Sequence, residues 1–143
     1  KYDIPSSLLH LEITETVVMS DLENRLKTLR DLQSAGFLIE IDDFGSGYSS
    51  LNTLKDIPLD VLKIDMLFLY KTQDQNKANI ILKTIIDLAT RLHLPTITEG
   101  VETEEQLKML IEMGGDTFQG YYFSKPIPLD EFERKFLQND SLN

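Results

Sequence analysis

Short apolar segments alternate along the chain with longer segments that carry apolar residues every three or four positions. The short segments are rich in isoleucine, leucine, valine and threonine and are bounded by turn-forming or polar residues, which is typical of strands. The longer segments have the period of amphipathic helices. The pattern therefore predicts five strands, at residues 8–13, 37–42, 61–65, 95–99 and 117–123.

Start and stop signals delimit the predicted helices. Ser20 and Glu23 have the spacing of a capping box at the start of a leucine-rich helix, and Gly36 suits the end of that helix. Thr103 and Gln106 form a second such pair before the next-to-last helix. Further helices are predicted at residues 48–54, 80–92 and 129–137, and the polar residues 71–79 are predicted to form a loop.

Regular alternation of strands and helices predicts a parallel sheet with helical crossovers, which is an α/β fold. Two architectures fit this order. One is a complete five-stranded open sheet, and the other is part of a (β/α)8 barrel, which typically has about 250 residues. The 143 residues of this chain are enough for one compact domain with a core.

Composition narrows the class of protein and of partner. Hydrophobic residues make up 41% and charged residues 27%, which fits a folded globular domain. The chain has no cysteine and no apolar run of the ~20 residues that a membrane helix needs, so we expect a cytoplasmic protein without direct membrane insertion. The net charge of −10 disfavours duplex nucleic acid, which is bound mainly through Lys and Arg. A bound divalent cation would offset this acidic field locally.

Every predicted strand delivers polar or charged residues near its carboxyl end. In barrels and in open α/β sheets alike, ligands bind at that edge, so we expect these side chains to lie close together. They are Glu12 and Glu15 for the first strand, Asp42 and Asp43 for the second, Lys63 and Asp65 for the third, Glu99 and Glu102 for the fourth, and Gln119 within the fifth.

These residue types suit a hard-cation site. Mg²⁺ and Mn²⁺ prefer oxygen ligands, and the adjacent carboxylates of Asp42 and Asp43 can divide two ions as in two-metal hydrolases. Lys63 would add a compact charge that holds a water or a phosphate oxygen. Taken singly, the same residues also have structural interpretations: the two aspartates before a glycine-rich segment suit a turn, and Lys63 with Asp65 suits a surface ion pair.

Five segments, in this order, carry a family resemblance. "LHLEITET", "IDDFGSGYSSL", "LKID", "TEGVETEEQ" and "QGYYFSKPIP" together resemble the C-terminal two-thirds of the EAL-domain cyclic-di-GMP phosphodiesterases. The resemblance covers roughly residues 8–132. Each motif alone is weak, but the combined order and spacing is highly specific.

The resemblance implies a fold, a reaction and a set of roles. Members of the family fold as a modified (β/α)8 barrel and use Mg²⁺ or Mn²⁺ to hydrolyse one phosphodiester of cyclic di-GMP, giving linear pGpG. The implied metal ligands are Glu12, Asp42 and Asp43. Lys63 is implied to contact the attacking water, and Glu99 to act as an acid near metal or water, often proposed as the general base. Glu102 and Gln119 are implied to support the site or bind substrate, and Glu15 to anchor the loop at residues 43–50.

Departures from the family pattern qualify this expectation. The Glu-Ala-Leu tripeptide that names the family, and the Asn-bearing strand after it, supply metal ligands in the family and do not occur in this chain. We therefore expect residues 1–143 to be the C-terminal portion of a single EAL domain, with the N-terminal part of the barrel missing. Such a chain is expected to self-associate and to be inactive alone. Residues 66–68 also replace the more usual basic-polar step after "LKID".

A metal-dependent cyclic-di-GMP phosphodiesterase is the function favoured for the parent domain. The alternative is a non-catalytic cyclic-di-GMP receptor or regulatory module, and an intact or lost upstream motif would discriminate between the two. Cyclic di-GMP is the expected partner in both cases. We also expect a homo-oligomer, with sensor or GGDEF domains as candidate companions in a longer parent chain.

Overall fold

The computed structural model describes residues 3–14, 22–44, 51–70 and 72–137. Strands and helices alternate along it. The strands are β1 (His10–Thr14), β2 (Leu38–Phe44), β3 (Val61–Ile64), β4 (Thr96–Thr98) and β5 (Thr117–Phe118). The helices are α1 (Leu22–Ser34), α2 (Leu51–Asp56), α3 (Gln75–Arg91), α4 (Glu104–Glu112) and α5 (Leu129–Phe132), which continues as a π-helical turn at Glu133–Leu137; short 3-10 turns lie at Ser6–Leu8 and Met66–Phe68.

All five strands belong to one parallel sheet in the order β1-β2-β3-β4-β5. Each strand is added beside the previous one in the same direction. An open doubly wound sheet reverses its order at a switch point, whereas a (β/α)8 barrel adds its strands in sequence. The described part of the chain is therefore an arc of a barrel, which decides between the two predicted architectures.

Alternate residues of the strands face opposite sides of this sheet. On the helix side, Ile39 and Ile41 are fully buried in a core cluster with Leu29 of α1 and Ala89 of α3. A second cluster continues the core between β3, α3 and α4 around Leu82. The intervening residues of the same strands face the inner side of the arc, so one alternating pattern builds both the core and a polar interior.

Two of the predicted helix signals are present in the structure. Thr103 accepts a hydrogen bond from the Gln106 backbone while the Gln106 side chain accepts from the Thr103 backbone, which completes the capping box of α4. Gly36 follows α1 with a φ of +92°, a conformation that favours glycine. Ser20 lies outside the described residues. No helix among the ranges given above is long and apolar enough to cross a membrane.

Several predicted boundaries are wrong. Helix α3 begins at Gln75 rather than near residue 80, because Asp74 caps it by accepting a hydrogen bond from the Lys77 backbone at 2.9 Å. Strand β5 ends at Phe118 instead of residue 123, since residues 120–123 form a turn. The predicted short helix is present from Leu51, and its predicted first residues lie outside the described part.

Candidate active site

One lysine lies at the centre of the polar edge of the sheet. The side chain of Lys63, on β3, is only 8% exposed. Its Nζ lies 3.0 Å from Glu12 Oε1 on β1, 2.9 Å from Asp42 Oδ1 on β2 and 2.8 Å from Glu99 Oε1, just after β4. The structure thus brings together four of the predicted site residues, contributed by four adjacent strands.

Strand register accounts for this meeting point. Glu12 lies opposite Glu40, and Asp42 lies two residues further along β2, opposite Thr14. Glu12 and Asp42 therefore face the same side of the sheet, and Lys63 on β3 faces that side too. Glu99 continues β4 by one residue, and its backbone N–H donates to the Ile64 carbonyl at 3.1 Å. Parallel pairing thus directs the four side chains into the barrel interior.

The electrostatics of the cluster keep the lysine charged. Burial lowers the pKa of Lys63, but the close carboxylates of Glu99, Asp42 and Glu12 outweigh that effect, so its pKa lies above the ordinary range for lysine. The charged ammonium can hold a water by its oxygen. One ammonium among three carboxylates leaves the cluster net negative, so a divalent cation bound there would offset the acids where a phosphate oxygen must be stabilised.

The carboxylates of the cluster have the chemistry of hard-cation ligands. Asp42 Oδ1 is buried and forms an ion pair with the Lys63 ammonium, 2.9 Å away. A set made only of oxygen ligands fits a hard cation such as Mg²⁺ or Mn²⁺. The described carboxylates converge on Lys63, and no group of three or more His, Asp or Glu residues among them is arranged as a ready metal cluster.

The two remaining described candidates lie beside this cluster. Glu102 is exposed after β4, and Gln119 follows β5 by one residue, not within the strand as the sequence predicts. Both line a cavity of about 250 Å³ that Glu99 also borders. The Gln119 backbone bonds to the Thr98 carbonyl at 2.9 Å and to the Val101 N–H at 3.0 Å. The loops after β4 and β5 are thereby joined next to the lysine.

The side chains of two predicted site residues, Asp43 and Glu15, lie outside the described part of the structure. Asp43 belongs to β2, but its side chain lies outside the described residues. Glu15 and the glycine-rich segment at 45–47 also lie outside them, so the proposed anchor and loop stay predictions.

Two contacts near the site are absent from the sequence predictions. Asp65 does not pair with Lys63; its Oδ1 accepts a hydrogen bond from the Leu67 backbone at 2.6 Å and so caps the 3-10 turn after β3. His10 on β1 contacts the buried carboxylate of Glu40 on β2. The alternation of β1 and β2 was the one signal that could have paired them, since both face the interior.

Curated and solved proteins resemble this chain over most of its length. A curated relative, "Cyclic di-GMP phosphodiesterase NbdA" of Pseudomonas aeruginosa, is 40% identical over 136 residues, which cover 93% of this chain and 17% of that protein. A solved structure described as "PaMucR Phosphodiesterase, c-di-GMP complex" is 38% identical with a TM-score of 0.82, and the match covers 90% of this chain and 52% of that one.

A further solved structure is described as a complex with manganese as well as the dinucleotide. The manganese and cyclic-di-GMP complex of Klebsiella pneumoniae BlrP1 is 32% identical with a TM-score of 0.77, covering 86% of this chain and 31% of that one. The chain thus spans less than a fifth of the curated relative and about half of the PaMucR chain.

These matches agree with the fold and with a family model. Sequential parallel strands that alternate with helices give the partial (β/α)8 barrel of the EAL structures. The model described as "EAL domain" matches residues 1–126. The sequence motifs, the barrel arc and this match lead to one conclusion: the chain belongs to the EAL domain family.

Proposed function

We propose that the protein hydrolyses cyclic di-GMP to linear pGpG with Mg²⁺ or Mn²⁺. The observation that carries the proposal is the contact of Lys63 with Glu12, Asp42 and Glu99 at the carboxyl edge of the sheet. Family relatives described as cyclic-di-GMP phosphodiesterases, or solved with that dinucleotide, support it.

Lys63 and Glu99 would activate the attacking water. The ammonium would donate a hydrogen bond to the water oxygen and so fix its position, while the Glu99 carboxylate, 2.8 Å from Nζ, would lie within reach of the water proton. The water oxygen forms a bond to phosphorus as the bond from phosphorus to the ribose 3′ oxygen breaks. Glu99 accepts the water proton and releases it through solvent to the 3′ oxygen. The product is a linear dinucleotide with a 5′ phosphate.

Glu12, Asp42 and Asp43 would hold the metal. When bound, a divalent cation neutralises the phosphate charge and makes a water easier to deprotonate. The oxygen-donor chemistry of these carboxylates suits that role. Glu15 would anchor the neighbouring loop.

A binding-only receptor is the competing function, and the site geometry does not favour it. A receptor needs groups that hold the dinucleotide, but it has no need of a buried lysine in contact with Glu99. Glu102 and Gln119 would contact the substrate in either case, because they line the cavity next to Glu99.

The test is an assay of the full-length protein with cyclic di-GMP and Mn²⁺ or Mg²⁺. Chromatography should show pGpG, and a chelator should stop its formation. Lys63→Met should lower the turnover by at least about 10²-fold, the scale of a lost preorganised electrostatic contact. Lys83→Met is the matched control, because Lys83 is exposed on α3 and forms a local ion pair with Asp87 on the same helix. A wild-type protein that binds the dinucleotide without cleaving it would establish the receptor function instead.

Other properties belong to the same proposal. The protein would act in the cytoplasm and as a homo-oligomer, and sensor or GGDEF domains are candidate companions in a longer chain. Residues 1–143 would form the C-terminal portion of one EAL domain. These expectations rest on the sequence and on the family resemblance.

A further inference from the structure

A small cavity lies beside the lysine cluster. Its walls come from Tyr70 after the 3-10 turn that follows β3, from Glu99, Gly100 and Glu102 after β4, and from residues 119–121 after β5. Its volume is about 250 Å³, below the about 300–1,000 Å³ of pockets that enclose a drug-sized ligand. The cavity therefore suits one part of a dinucleotide rather than the whole molecule.

The charge of the cavity argues against a phosphate as its occupant. Glu99 and Glu102 both contribute to the walls, and carboxylates repel an anionic group. Lys63, where the proposed reaction places the phosphate, does not line the cavity, and its Nζ lies 2.8 Å from Glu99 Oε1. A substrate that places its phosphate at Lys63 would direct a neutral part, such as a base, into the cavity.

Two tyrosine rings give the cavity the chemistry of a base-binding site. Tyr70 and Tyr121 are 45% and 57% exposed, so their rings are accessible to a ligand. Aromatic faces bind nucleobases by stacking. Glu102 adds a hydrogen-bond acceptor, which suits the N1–H and amino donors of guanine but not the unprotonated N1 of adenine.

The backbone behind both tyrosines is fixed. Next to Tyr121, Gly120 packs so closely against Val101 that an added Cβ would lie 2.1 Å from the Val101 carbonyl oxygen. The Lys125 ammonium also lies 5.4 Å from the centre of the Tyr121 ring. Next to Tyr70, Leu69 is buried in the core and its carbonyl accepts a hydrogen bond from the Gln106 side chain. Rigid supports of this kind reduce the entropy lost on binding.

We propose that Tyr70 and Tyr121 form a purine subsite in which Glu102 favours guanine over adenine. This inference rests on the proposed function for its substrate, and it adds Tyr70, to which the family resemblance gives no role, as a residue that determines specificity. The subsite holds a base while the adjacent phosphate lies at Lys63. Loss of the stacking ring removes binding that is equal in the ground and transition states, so KM rises and kcat is unchanged.

The experiment uses the full-length protein and two readouts. Tyr70→Ala should raise KM for cyclic di-GMP about tenfold, within the range for losing one base–aromatic stack. Tyr70→Phe keeps the ring and should stay within about threefold. Tyr122→Ala is the matched control, because Tyr122 is 41% exposed in the same turn but does not line the cavity. Tyr121→Ala should repeat the effect of Tyr70→Ala.

Calorimetric binding of GMP and AMP separates this inference from the proposed function. The wild type should bind GMP more tightly than AMP, Tyr70→Ala should weaken GMP about tenfold, and Glu102→Gln should reduce the preference for GMP. The same GMP results without any hydrolysis would leave the subsite standing and refute the phosphodiesterase activity. The subsite is refuted if the wild type does not bind GMP, or if Tyr70→Ala and Tyr122→Ala behave alike.

Discussion

At the scale of single residues, the site depends on the balance between one cation and several acids. Burying an ammonium is costly unless opposite charges surround it, and Lys63 has three carboxylate oxygens within 3.0 Å. The carboxylates in turn would repel one another without the lysine. The carboxylates therefore keep Lys63 charged, Lys63 offsets their mutual repulsion, and a change at one of these groups alters the electrostatics of all.

Asp42 provides the first test of this balance. Asp42→Asn keeps the shape of the side chain but removes its charge, so in the full-length protein we expect turnover to fall at least about 10²-fold. The free energy of unfolding should change by less than about 1 kcal/mol, because the side chain is partly exposed. Asp87→Asn, at an exposed pair on α3, is the control. Turnover within a few-fold of wild type would favour the turn interpretation of Asp42-Asp43.

Lys63 provides a second test, through the pH dependence of stability. Its pKa is raised in the folded state above the ordinary value of 10.5, so its contribution to stability is fully present below pH 10.5 and is lost only as the pH rises through the folded pKa. In urea unfolding with a chelator present, Lys63→Met should cost about 1–3 kcal/mol, less than a fully buried pair because Glu12 is half exposed. The cost should be equal at pH 7 and pH 9. A cost that shrinks at pH 9 would contradict the raised pKa.

At the scale of secondary-structure elements, the loops after β4 and β5 form one unit. Val101 donates to the Gln119 carbonyl, and the Val101 carbonyl accepts from the Tyr122 N–H at 2.9 Å. Gly120 lies between these bonds, where a Cβ would meet three backbone atoms of Val101 within 2.7 Å. Since Val101 is fully buried, it cannot move away. The two loops are therefore held at a fixed separation.

Gly120→Ala should consequently disturb both stability and binding. Overpacking against the Val101 backbone should lower the free energy of unfolding by at least about 2 kcal/mol. Moving the loop should also raise KM for cyclic di-GMP in the full-length protein. Gly114→Ala separates the two effects, because its φ of +83° makes alanine cost about 1 kcal/mol, but no atom lies within 4 Å of its added Cβ. Equal KM values for the two variants would show that the loop junction does not shape the site.

The elements also show how far the sequence determines this fold and site. Periodicity predicts all five strands and their alternation with helices, since both depend on local pattern. The end of β5 and the start of α3 depend on particular hydrogen bonds, those of residues 119–123 and of Asp74, that periodicity does not contain. The position of Tyr70 at a cavity depends on distant segments, so no local signal identifies it. For His10 and Glu40 the alternation of the strands gives the shared face but not the contact itself.

At the scale of the whole molecule, charge and apolar surface act in opposite directions. The net charge of −10 keeps chains apart, most strongly at low salt. Among the described strands, β1 pairs only with β2 and β5 only with β4, which leaves two edges that can accept another strand. Leu129, Phe132 and Leu137 are 72%, 44% and 61% exposed, and the first two border an apolar groove of about 670 Å³ beside β5. Apolar surface of this kind promotes association.

We therefore expect the isolated 143-residue chain to self-associate, and more strongly as salt screens its charge. Light scattering after size-exclusion chromatography should give a mass above the 16.4 kDa of one chain. The mass should rise between about 50 mM and about 500 mM salt, because the Debye length falls from about 14 Å to about 4 Å. Leu129→Glu with Phe132→Glu should shift the chain toward the monomer, because two charges would enter the groove. Ile80→Glu with Ile111→Glu adds the same charge at exposed positions of α3 and α4, away from the groove, and should leave the mass unchanged. A monomer at both salt concentrations would show that net charge outweighs the open edges and the groove.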